Sequence, residues 1–129
     1  MIKVKNLISL LNENDSDFFT GVPDSVLKEL SWFLQTKTKK NHIIATSEGS
    51  AVSIGIGYYL STKKLPIIYM QNSGLSNALN PLISIAHDKV YSIPLILVIG
   101  WRGSPVANDE PQHKVKGQIT EKILKLLNI

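Results

Sequence analysis

Apolar and polar positions alternate along the chain in two rhythms, one helical and one extended. Val4, Leu7, Ile8 and Leu11 stand at i, i+3, i+4 and i+7, the stripe of an amphipathic helix, which the polar run Asn12-Glu13-Asn14-Asp15-Ser16 ends. Phe18-Phe19-Thr20 reads as a short strand closed by Gly21-Val22-Pro23-Asp24-Ser25. Pro23 near a helix start, with Asp24 or Ser25 as cap, opens a second helix whose core face would be Val26, Leu27, Leu30, Phe33 and Leu34. His42 to Ala45 is a second strand, with Ile43, Ile44 and Ala45 as a buried strand end. Thr46 and Ser47 carry N-cap side chains, and Glu48 falls in the first turn of a third helix. Ala51, Gly55 and Tyr58 share one face of that helix, with Val52 and Tyr59 beside them. Pro66 to Met70 is the next strand, followed by Gln71-Asn72-Ser73-Gly74. Leu75, Ala78, Leu79, Leu82 and Ala86 keep helical period through Pro81, so a helix kinked or restarted there is expected. Ile93 to Ile99 is the most apolar strand and ends at Gly100. A long polar segment from Trp101 to Gly117 follows, and a helix using Ile119, Ile123, Leu126 and Leu127 closes the chain.

Strands alternating with helical stretches at this spacing argue for β-α-β units: an α/β fold, a three-layer parallel sheet with helices on both faces. Ligands on such sheets bind beyond the carboxyl ends of the strands. Four polar, glycine-bearing stretches fall there: Gly21 to Ser25, Thr46 to Ser50, Gln71 to Asn77, and Gly100 to His113. One rim is therefore expected to gather Asp24, Glu48, Gln71, Asn72, Asn77, Arg102 and His113.

Composition narrows the class without changing the fold. At 129 residues the chain is read as a single domain, residues 1–129, long enough for a core. With 43% hydrophobic and 19% charged residues it has the balance of a soluble globular protein, and no apolar run reaches the length of a membrane span. The start, Met1-Ile2-Lys3-Val4-Lys5-Asn6, leads into only a short, periodic apolar stretch, which argues against a signal peptide and for a cytoplasmic protein. Without cysteine there is no disulfide, thiolate ligand or thiol nucleophile, and His42, His87 and His113 share no metal-ligand spacing, so no metal site is expected on this chain. The net charge of +4 is spread, and its densest run, Lys37-Thr38-Lys39-Lys40, is most simply a solvated loop. No aromatic residues interleave with it, which disfavours nucleic acid, while a mild positive excess suits a small anionic ligand.

Candidate chemistry centres on Glu48. A carboxylate in a first helical turn complements the helix dipole, and that alone would explain it. Gly55 and Gly57, however, cost roughly 1 kcal/mol each in a helix relative to alanine, which implies close approach of another backbone or a ligand. There is no Walker A loop, no Gly-x-Gly-x-x-Gly after the first strand and no Gly-x-Ser-x-Gly elbow. What remains is a rim of carboxylate, amides, arginine and histidine without its own nucleophile, which suits a site where a bound cofactor carries the reaction.

Four groups of residues then show a resemblance: Phe19-Thr20-Gly21-Val22-Pro23-Asp24-Ser25; Thr46-Ser47-Glu48-Gly49; Gln71-Asn72-Ser73-Gly74-Leu75; and Gly100-Trp101-Arg102-Gly103 with Asp109-Glu110-Pro111-Gln112-His113. In order and spacing they resemble the amino-terminal pyrimidine-binding domain of thiamine-diphosphate-dependent decarboxylases. Within that family the likeness is greatest to the phosphonopyruvate decarboxylases, with the sulfopyruvate decarboxylase alpha subunits second. The resemblance implies that Glu48 hydrogen-bonds the cofactor's aminopyrimidine and so activates its thiazolium carbon. It implies that Gly49, Gln71, Asn72 and Asn77 line the pyrimidine pocket. Asp24 and His113 become candidates for proton transfer or substrate orientation, and Arg102 and Gln112 for binding a small anionic 2-oxo acid. Each has a plainer reading beside it: Asp24 as a helix cap, Arg102 as a loop cation, Trp101 as a packing anchor.

One departure from the family is large. The domain that holds the cofactor diphosphate and Mg2+ carries a Gly-Asp-Gly motif, absent here. The expectation is therefore an excised domain or the small subunit of a split enzyme, inactive alone. Its partners would be a diphosphate-binding domain or subunit and a second copy joined through pyrimidine domains. A non-catalytic α/β assembly module is the reading from another class.

Overall fold

The short apolar runs pair side by side as β1 (Phe19–Gly21), β2 (His42–Ile44), β3 (Ile67–Gln71) and β4 (Ile96–Gly100), all parallel, in the order β2-β1-β3-β4. The helices are α1 (Val4–Glu13), α2 (Lys28–Lys37), α3 (Glu48–Thr62), α4 (Leu75–Pro81) and α5 (Pro111–Leu126). This computed structural model describes residues 3–106 and 108–129. Met1 and Ile2, in the segment read against a signal peptide, and Ala107, within the segment read as polar loop, lie outside the described residues.

Two cores confirm the three layers. On one face Ile8 and Leu11 of α1 and Leu30 and Leu34 of α2 pack on Phe19, Ile67 and Tyr69. On the other, Ala51, Val52 and Ile56 of α3 and Leu75 and Ala78 of α4 pack on Ile68 and Met70, with Ile123 and Leu124 of α5 against them. The alternation of Ile67 and Tyr69 with Ile68 and Met70 is the period of a strand buried on both faces. No helix among the described residues is long and apolar enough to cross a membrane.

Packing overrides local pattern at five places. Ile43 and Ile44 are 45% and 51% exposed, because β2 lies at the sheet edge; only Ala45 beyond it is buried. The second helix starts at Lys28, not after Asp24 or Ser25, and has no side-chain cap; Val26 stays exposed. The polar segment is shorter than its composition suggests, since Pro111 takes the first position of α5, where its fixed φ and missing N–H are tolerated. Within α5, Ile119 and Leu126 face outward, while Gly117, Thr120 and, just past its end, Leu127 are buried. β4 also begins at Ile96 rather than Ile93.

Pro81 behaves as the periodicity requires. The helix passes through it and continues as a single π turn, Leu82–Ala86. Gly21 is demanded by the sheet: a Cβ there would run into the carbonyl and ring of Tyr69. The Tyr69 ring, alongside Gly21, brings its hydroxyl 2.7 Å from His42 Nε2, tying β3 to β2 across β1.

Candidate active site

Because all four strands are parallel, their carboxyl ends open on one rim, and each is followed by a turn that carries candidate residues. After β2 the chain reaches Ser47, whose Oγ accepts from the Ser50 N–H at 3.2 Å and starts α3. That cap, one of the two offered by Thr46 and Ser47, places Glu48 in the first turn. The Asn77 Nδ2 donates to Glu48 Oε2 at 3.0 Å, and Glu48 lies over Gly74, where a Cβ would collide with its side chain. Gly49 in turn lets the Asn77 carbonyl approach: an added Cβ would sit 2.7 Å from that oxygen. Glu48, Gly49, Gly74 and Asn77 thus form one cluster, built from the first turns of α3 and α4.

A second cluster gathers after β1 and β4. Asp24 Oδ1 accepts from the Val26 N–H at 3.1 Å, capping its own turn rather than a helix. Asp24 Oδ2 is buried against Gly100 without a hydrogen-bond partner among the described residues. Arg102 does not offer a free guanidinium fork. Its Nε and Nη2 donate to Asp109 Oδ2 and Oδ1 at 2.7 and 2.6 Å, leaving Nη1 3.4 Å from Ser25 Oγ. The same carboxylate accepts from the Gly103 and Glu110 N–H groups at 3.0 and 2.9 Å. The Arg102 hydrogen bonds, with the two amides, hold the Asp109 carboxyl well below the usual range, and Asp109 raises the Arg102 pKa in return. Gly103 has φ +66°, a left-handed conformation that glycine accepts without strain, and it packs on the His113 carbonyl.

His113 and Gln112 lie in the first turn of α5, not in a loop. His113 Nδ1 is buried without a partner among the described residues. Between the clusters stands the turn Gln71–Gly74. Asn72 is buried there, and its amide is spent inside the protein, donating to the Arg102 carbonyl and Thr120 Oγ1 at 2.9 Å each and accepting from the Arg102 N–H at 3.1 Å. Gln71 donates to Ser73 Oγ at 2.6 Å. Trp101 is a packing anchor, its indole N–H donating to the Gly117 carbonyl at 3.1 Å. His42 and His87 belong to neither cluster: His42 bonds Tyr69, and His87 pairs with the adjacent Asp88. Sequence reasoning gave no role to Asp109, Gly74 or Thr120, and offered Ser25 only as a helix cap. Asp109 was visible only as part of a motif, since a loop carboxylate announces no partner.

A carboxylate held on an amide at the edge of a polar rim suits the ring nitrogen of an aminopyrimidine. Asp24 Oδ2 and His113 Nδ1 are the further buried polar side-chain atoms of these clusters that have no hydrogen-bond partner among the described residues. Among the described residues there is no group of three or more His, Cys, Asp or Glu that could hold a metal ion.

A parallel α/β domain with a helix-start glutamate at the carboxyl ends of its strands matches what is expected of the pyrimidine-binding domains of thiamine enzymes. The chain belongs to the family described as thiamine pyrophosphate enzyme, N-terminal TPP binding domain, which matches residues 3–124. It is 34% identical over 129 residues to a phosphonopyruvate decarboxylase of Streptomyces viridochromogenes, covering all of this chain and 32% of that one. It is 33% identical over 123 residues to the sulfopyruvate decarboxylase subunit alpha of Methanocaldococcus jannaschii, covering 95% of this chain and 70% of that subunit. Among solved structures, benzoylformate decarboxylase from Polynucleobacter necessarius superposes with a TM-score of 0.64 at 27% identity, over 79% of this chain and 19% of that one. The chain therefore spans about a third of the phosphonopyruvate decarboxylase and about two thirds of the alpha subunit.

Proposed function

We propose that this chain is the pyrimidine-binding half of a thiamine-diphosphate-dependent 2-oxo acid decarboxylase, acting on phosphonopyruvate to release CO2 and phosphonoacetaldehyde. The observation that carries the reading is Glu48, started by the Ser47 cap and held at the rim by Asn77. When bound, thiamine diphosphate supplies the nucleophilic carbon and the electron sink. Glu48 holds and exchanges a proton with the pyrimidine ring, and Gly49, Gln71 and Asn77 border that ring. Asn72 supports the pocket from beneath by fixing the turn to Arg102 and α5. Asp24 and His113, each with a buried polar atom that has no hydrogen-bond partner among the described residues, move a proton on the substrate side or orient the substrate. Arg102, through Nη1 alone, and Gln112 contact the substrate's oxoanion. Mg2+ and the cofactor diphosphate are held by a partner domain or subunit with the Gly-Asp-Gly motif, pyrimidine domains of two copies pair, and the enzyme works in the cytoplasm as part of phosphonate biosynthesis.

A second reading, sulfopyruvate decarboxylase alpha subunit, is favoured by the 70% share of the Methanocaldococcus subunit that this chain covers. A non-catalytic assembly module finds less support, since it has no use for a carboxylate fixed at this rim.

The test is C2–H exchange of thiamine diphosphate bound to the complex of this chain with a diphosphate-binding partner. Glu48→Gln is expected to slow exchange on the order of 10²–10⁴-fold, with little change in stability. Exchange at the wild-type rate in that variant would remove Glu48 from the reaction. Turnover of phosphonopyruvate against sulfopyruvate in the same complex separates the two substrates.

A further inference from the structure

We infer that Gly74 and Asn77 are positioning residues that together seat the Glu48 carboxylate; the inference rests on the proposed role of Glu48 only for its catalytic consequence. Three observations converge on the first turn of α4. The three heavy atoms nearest a Cβ built at Gly74 all belong to the Glu48 side chain, Oε1 among them. The glycine is therefore a hollow into which the carboxylate is laid. Its backbone needs no glycine, since φ −80° and ψ −9° are ordinary helical values. What the missing side chain provides is room. The Asn77 amide then donates to Oε2 at 3.0 Å, so one carboxylate oxygen rests over Gly74 and the other is held by Asn77.

The third observation is on the backbone. Pro81 has no N–H, so the helical donor that would bond the Asn77 carbonyl four residues earlier is missing. That carbonyl lies instead against Gly49, where an added Cβ would come within 2.7 Å. Helix α4 is thereby closed on the first turn of α3 by its backbone, and the Asn77 side chain reaches Glu48 from a fixed base. Asn77 thus acts on Glu48 itself, in addition to any contact with a ligand.

An amide hydrogen bond and a hollow that fixes the carboxylate's place both leave a mark on the two groups they join. The test is side-chain NMR of the 129-residue chain at one neutral pH, reading the Glu48 carboxylate carbon, assigned with Glu48→Gln, and the Asn77 side-chain amide, in wild type, Asn77→Ala, Gly74→Ala and the double variant. Asn77→Ala keeps the backbone carbonyl on Gly49 and removes only an exposed side chain; backbone amide spectra check the fold, and Asn77→Ser stands in if the alanine variant is unfolded. The Glu48 carboxylate signal is expected to move in Asn77→Ala. Gly74→Ala should move it too, because the displaced carboxylate leaves the amide, and hydrogen exchange of the Asn77 side-chain amide should quicken roughly two- to tenfold; the carboxylate shift in the double variant should exceed neither single shift by much. An unmoved carboxylate signal in folded Asn77→Ala, or shifts that add in full in the double variant, would overturn the seat. No cofactor is needed for this readout. If the signals move while C2–H exchange in the loaded complex does not slow, the seat stands and the catalytic reading of Glu48 falls.

Discussion

Asp109 collects four donors from its own loop: two guanidinium nitrogens of Arg102 and the backbone amides of Gly103 and Glu110. A carboxylate suits that position because it only accepts, while an asparagine would turn an NH2 towards N–H groups. Asp109→Asn should therefore loosen the loop that carries α5 and His113, and hydrogen exchange at the Gly103 and Glu110 amides should quicken roughly tenfold, as expected for loss of a charged hydrogen bond. Unchanged exchange would mean that the loop is held by the Gly103–His113 and Asn72–Arg102 contacts alone. None of this was visible from Arg102 in isolation: a sequence shows a guanidinium and a carboxylate seven positions apart, but not that they pair.

At the scale of elements, the start of α3 was legible to within one residue, with Thr46 and Ser47 both offered as cap, and the start of α2 was not. Ser47 precedes the helix with an extended backbone, φ −155° and ψ 164°, and its hydroxyl takes the Ser50 N–H. Ser47→Ala should cost about 1 kcal/mol, read as a lower urea midpoint with an unchanged slope. Thr46→Ala, one position earlier and exposed, should stay within about 0.5 kcal/mol of wild type. The opposite ranking would move the cap to Thr46. The second helix misled because Asp24 spends its cap-like oxygen on the Val26 amide, two residues before the helix begins at Lys28.

For the whole molecule, the pairing of His42 with Tyr69 links stability to pH. Burial lowers the His42 pKa from 6.5 and pushes the Tyr69 hydroxyl up from 10.0 to about 12. On the acid side the unfolded chain binds the His42 proton more readily than the folded one. Stability is thus complete above pH 6.5 and declines as pH falls through that value towards the lower folded pKa. On the alkaline side the unfolded tyrosine ionises first, so stability holds below pH 10.0 and declines towards about pH 12. Urea midpoints measured across the acid window should fall less in His42→Gln than in wild type. An equal decline in both would assign the acid sensitivity to other groups.

By itself the sequence determined the alternation of strands and helices, the parallel sheet they imply, the common rim, and the glutamate placed by a helix cap. These follow from periodicity, capping chemistry and handed β-α-β connections, all of which act over a few neighbouring residues or on the order of the elements. Only the tertiary structure decided which strands lie at an edge, and so left Ile43 and Ile44 in solvent despite their apolar side chains. It alone brought Asn77 to Glu48 across 29 residues and Asn72 to Thr120 across 48. It alone gave the fork of Arg102 to Asp109. Hydrogen-bond partners distant in sequence are set by how helices and turns settle on the sheet, and no local preference of either residue records that choice.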